Sequence, residues 1–66
     1  MSIDEKVANW LKNNNDTEVE DALENYNNAW FGFFQAEPQT HTVKQQLAAY
    51  AKLKRIFHKA SGTPYF

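Results

Sequence analysis

The chain has no cysteine, only two glycines and two prolines, and no apolar run approaching the ~18 residues that a membrane span requires. Each shortage removes a class of protein. Without thiols, neither a disulfide framework nor a thiolate metal site can brace these 66 residues. With so little glycine and proline there is no flexible linker, no glycine-rich phosphate cradle and no internal repeat. A net charge of -1 and a pI near 6.0 lack the basic excess of chains held mainly by phosphates or anionic lipid. No charged-then-apolar leader opens the sequence, and neither Met1-Ser2 nor Tyr65-Phe66 fits a lipidation pattern, so the expectation is a cytoplasmic protein without membrane contact.

Aromatic residues are abundant. Ten rings stand beside nine Leu, Ile and Val and eight Ala, which predicts a compact interior filled by rings. A core this small contributes only on the order of 3–5 kcal/mol, so a second copy of the chain is a candidate partner from the outset.

Three stretches carry helical periodicity. Ser2 with Glu5 forms a capping box ahead of Ile3, Val7, Trp10 and Leu11, predicting a first helix over about 3–13. Asn13-Asn14-Asn15-Asp16 ends it, because Asn tolerates the left-handed conformation of a helix end. Within this run Asn15-Asp16-Thr17 has the form of a glycosylation acceptor, but without a leader it reads as a helix start. Thr17 with Glu20 repeats the capping box and opens a second helix over about 18–35. There Val19, Ala22, Leu23, Tyr26, Ala29, Trp30, Phe33 and Phe34 lie within roughly 140° of arc at about 100° per residue, the expected buried stripe. Gly32 is either a weak point in that helix or a place where another backbone comes close. Pro38 breaks the pattern, and Thr42 with Gln45 offers a third capping box. The third helix, about 43–60, has Val43, Leu47, Tyr50, Leu53, Phe57 and Ala60 as its inner face, flanked by Ala49 and Ile56, and stops at Ser61-Gly62 before Pro64. The expected fold is all-α, one small three-helix bundle over 1–66, with the second and third helices an antiparallel hairpin.

Charge divides along the chain. All eight acids lie at or before Glu37, whereas five of the seven basic residues (Lys44, Lys52, Lys54, Arg55 and Lys59) follow it. Acids at a helix start and bases at a helix end suit the helix dipole, and an antiparallel hairpin would bring Glu24 level with Lys54 and Arg55, and Glu20 and Asp21 level with His58 and Lys59. The alternative use of the cations is nucleic-acid binding through Lys44, Lys52, Arg55 and Lys59, which share one arc of the third helix.

Phe31 leaves the buried stripe, so its ring either meets the C-terminal Pro64-Tyr65-Phe66 or is offered to a partner. It follows Glu20, Glu24 and Asn28 along one side of the second helix, making an acidic strip that ends in a ring. Such a strip suits a basic groove on another protein, for example a nucleic-acid-binding one, because rings anchor interfaces and acids steer encounter with positive surfaces. Tyr65 and Phe66 either cover an end of the bundle or join that contact.

Catalysis lacks its parts. His41 and His58, the only histidines, fall about 25 Å apart along the chain's helical rise, too far to share a metal. Glu20 and Glu24 have no Glu-x-x-His companion, so no metal, cofactor or catalytic residue is expected. The expected role is a non-enzymatic regulator or inhibitor that binds another protein, of the size encoded by phages and mobile elements. A nucleic-acid-binding module and a structural subunit of a larger assembly are the alternatives.

Overall fold

The computed structural model describes residues 3–62 and consists of three helices, α1 (Ile3–Leu11), α2 (Thr17–Phe34) and α3 (Val43–Ser61), arranged as a small three-helix bundle. The Ser2–Glu5 capping box and the tail residues Tyr65 and Phe66 lie outside the described residues.

Side-chain hydrogen bonds explain most of the helix ends. At the end of α1 the Asn14 side-chain amide donates to the Trp10 carbonyl at 2.8 Å, and the Lys12, Asn13 and Asn14 amides close a tightened last turn. The helix therefore stops at Leu11, two residues earlier than expected. No Asn takes a positive φ, so side-chain capture of a carbonyl replaces the anticipated left-handed cap. α2 is capped by Asp16 rather than Thr17: Asp16 Oδ1 accepts from the Val19 amide at 3.1 Å, and its carboxylate also opposes the positive end of the helix dipole. α3 opens with the anticipated capping box, Gln45 N donating to Thr42 Oγ1 at 3.2 Å and Thr42 N donating to Gln45 Oε1 at 2.8 Å. It closes on Gly62 at φ 74°, whose amide reaches the His58 carbonyl.

α2 and α3 form an antiparallel pair, with Asp16 and Glu18 at the start of α2 lining one recess with Lys59 and Ala60 near the end of α3. Near the turn, small residues bring the two helices together: Ala29 and Gly32 of α2 are buried, as is Ala49 of α3. Gly32 is the tightest point. Its carbonyl accepts from the Thr40 amide at 3.0 Å and the His41 amide at 3.2 Å, which folds the connecting loop back onto the helix. A methyl group at Gly32 would collide with the His41 ring and lie 2.5 Å from Thr40 Oγ1. The second of the two sequence readings of Gly32, close backbone approach, is the one realised.

The core occupies the end of the hairpin away from this loop. Val7, Val19 and Leu53 are fully buried, joined by Ala22, Ile56 and Phe57 and lined by Ile3, Trp10, Leu11, Leu23 and Tyr26. Trp10 meets Phe57 edge-on, with centroids 5.4 Å apart, which fixes α1 against α3. Each of the large buried side chains contributes about 1.5–3 kcal/mol by leaving water.

The predicted stripes need correction at the loop end. Trp30 and Phe34, expected inside, are 39% and 57% exposed, and Val43 and Leu47 are 51% and 55% exposed. Ala60 is exposed as well, whereas Gln46 is buried. The cause is length: nine residues of α1 span about 13 Å, half the roughly 27 Å of α2, so α1 covers one half of the hairpin face and not the other.

Replacing Gly32 by Ala tests the loop contact. Alanine is the better helix former, and at an open helical site the change would stabilise by about 0.5–1 kcal/mol. Here crowding by His41 and Thr40 reverses the sign, and chemical denaturation should show a loss of about 1–3 kcal/mol. Adding His41→Ala to the same chain should recover part of that loss.

Candidate functional site

Glu20, Glu24, Asn28 and Phe31 are all exposed, and at successive spacings of four, four and three residues they follow one side of α2. Phe31 is 55% exposed. The strip extends for about 16 Å along the helix, from the acids near its start to the ring near its end. It points away from α3: Ala22 and Ala29, the buried positions on the α3 side, are well over 100° around the helix from Glu24. The expected meeting of Glu20 and Glu24 with the cations of α3 is therefore not made by these side chains. The opposite charges converge instead where Asp16 and Glu18 share a recess with Lys59. Lys54 lies with Nζ 5.7 Å from the centroid of the Tyr50 ring, a cation–π arrangement.

Lys44, Lys52, Arg55 and Lys59 are exposed, and about 100° per residue puts them within roughly 80° of one another on the face opposite Phe57. They extend for about 22 Å along α3. The two candidate surfaces thus sit on different helices and face different directions.

A third feature was misread from the sequence. Beyond the reach of α1, Trp30 and Phe34 stand exposed on α2, and Val43 and Leu47 stand exposed on α3. Trp30 stacks against Phe34 with centroids 5.1 Å apart, and Phe34 meets Phe33 edge-on at 4.7 Å. Tyr26 and Tyr50, 5.8 Å apart, connect the two helices at the border between the covered and uncovered halves. An open cleft of about 400 Å³ at that border is lined by Ile3, Asp4, Tyr26, Asn27 and Trp30. The sequence pointed to this surface only in that the first periodic stretch, about 3–13, is shorter than the other two.

The hydroxyl of Tyr26 has its pKa raised above the ordinary 10.0, first by burial, then by the negative charge of Asp4 and by Tyr50. Among the described residues, no three Asp, Glu or His side chains gather at metal-binding distance, and no helix is long and apolar enough to cross a membrane. Comparison with protein-family models, curated proteins and solved structures yields no match.

The raised pKa has a consequence for stability. The folded chain holds the Tyr26 proton at pH values where the unfolded chain has lost it, so this contribution is complete below about pH 10 and falls as pH rises beyond. Tyr26→Phe should reduce the alkaline decline of the unfolding free energy while leaving its value near neutral pH little changed, as measured by urea denaturation across the alkaline range.

Proposed function

We propose that this chain is a non-enzymatic protein-binding regulator or inhibitor that acts in the cytoplasm by occupying a surface of a larger protein. The observation that carries this reading is Phe31, a large ring left more than half exposed at the end of an exposed strip of Glu20, Glu24 and Asn28. A ring offered to solvent beside carboxylates fits a basic groove with an apolar pocket. The ring supplies the desolvated anchor and the acids raise the rate of encounter. A nucleic-acid-binding protein has such a groove, and a chain seated in it would compete with the nucleic acid. The small helical scaffold supports this mode, since it holds the strip on a regular helix.

Tagged chain incubated with nuclease-treated host lysate should retain a specific protein. Phe31→Ser should weaken that complex by at least about thirtyfold, the scale of an interfacial hot spot, without changing helicity by circular dichroism. Glu20→Gln with Glu24→Gln should slow association mainly at low ionic strength. Retention that Phe31→Ser leaves intact would overturn the assignment.

The cations of α3 support a second reading, nucleic-acid binding, because Lys44, Lys52, Arg55 and Lys59 form one exposed row. On this reading, binding to duplex DNA or RNA should fall steeply with added salt, and Lys52→Gln with Arg55→Gln should lower the salt slope by about two. Absence of binding at low ionic strength would remove it.

A further inference from the structure

From the uncovered end of the hairpin we infer that the chain pairs with a second copy of itself through Trp30, Phe34, Val43 and Leu47. Trp30 and Phe34 continue along α2 the row that Leu23 and Tyr26 begin, at helical spacing, and Val43, Leu47 and Tyr50 continue along α3 the row that ends in Phe57. At the other end of the hairpin α1 covers these rows, with Trp10 on Phe57 and with Leu23 and Tyr26 packed against the core. Its first turn reaches only as far as the cleft beside Tyr26 and Trp30. Past that point the face is the same in kind, and no other described residue lies over it. None of the residues in this half belongs to the main core cluster, and the positions it buries are Ala29, Gly32, Gln46 and Ala49, which have little apolar bulk.

Charge selects the occupant. Of the fifteen formally charged residues, only Glu37 and Lys44 fall between positions 25 and 51, the part of the chain that builds the loop end of the hairpin. Depletion of charge with enrichment of rings is the composition of an interface centre. With charge only at its border, where Asp4 lines the cleft beside Trp30 and Lys54 lies over Tyr50, the face offers a charged partner little to read, whereas two copies stacked antiparallel about a two-fold axis set one uncharged end upon the other. In that arrangement the charged ends carrying α1 project beyond the overlap on either side, and each α1 forms a shoulder limiting it. The product is a four-helix packing of two hairpins.

Area agrees. The four side chains present on the order of 400 Å² of apolar surface, the size at which a patch on a small protein marks a contact. This is about half of the roughly 800 Å² per partner of a standard stable interface, which puts the pairing at the weak, concentration-dependent end.

Phe31 lies about 60° around α2 from Phe34, at the rim of the overlap, so the pairing and the heterotypic contact proposed above are told apart by Leu47, which belongs to the pairing face alone. Sedimentation equilibrium from micromolar to millimolar concentration should show a mass rising from 7.7 kDa to twice that value and no further. Leu47→Glu and Phe34→Glu, at positions exposed in the single chain, should keep the helical signal and weaken pairing by at least about a hundredfold, because each places two uncompensated charges in the interface. Phe31→Ser, at the rim, should weaken the dimer far less than either glutamate. As a measurement that needs no variant, the melting temperature of the wild-type chain should rise with its own concentration. A chain that stays at 7.7 kDa with a concentration-independent melting temperature, a dimer indifferent to both glutamates, or growth beyond two copies would each overturn the pairing.

Discussion

The antiparallel contact of α2 with α3 is the constraint on which the rest of the molecule depends, and it is set where the chain turns. Gly32 lacks a side chain, so the loop can lie against the helix and deliver the Thr40 and His41 amides to one carbonyl. Ala29 and Ala49 keep the neighbouring turns of the two helices small. With the return angle held there, Thr42 caps α3 through both halves of its box, and nineteen residues run back to bring Leu53, Ile56 and Phe57 to Val19 and Ala22. Register between the helices is thus decided by backbone proximity at the turn and by apolar packing at the far end, while exposed charge pairs contribute little.

α1 completes only part of this framework. It supplies Val7 and Trp10 to the far end and closes a core there, but it is nine residues long against a hairpin twice that length. The molecule consequently has two unlike halves. One contains large side chains sealed from water. The other is held by small residues and loop hydrogen bonds and keeps its large side chains outside. A chain of this size has little stability to spare, so such an uncovered half is where the pairing proposed above would contribute most to folding.

The division matters for function because it separates three surfaces that a helical wheel alone would blur. The acidic strip of α2 and the cationic row of α3 face different directions, while the uncharged aromatic end adjoins the strip where Phe31 and Phe34 are neighbours on one helix. None requires α2 or α3 to move, since each is displayed by a regular helix whose ends are capped.

Sequence by itself determined the number and type of helices, because periodicity and capping are local and the residues that stop a helix act on their own neighbours. Thr42 with Gln45, Gly62 after Ser61, and Asn14 after Leu11 all did so, though the mechanism at Asn14 and the shift of the second cap to Asp16 depended on hydrogen bonds that spacing does not display. The departure of Phe31 from the buried stripe and the single arc of Lys44, Lys52, Arg55 and Lys59 were also legible, being properties of one helix at a time, whereas the exposure of the Phe31 ring was not. What only the tertiary structure decided was which part of each apolar stripe finds a partner. Trp30, Phe34, Val43 and Leu47 have the same periodicity as Val19, Leu53 and Phe57, and nothing local distinguishes them. The difference arises because burial belongs to the pair of surfaces, and a helix of nine residues ends before it can reach them.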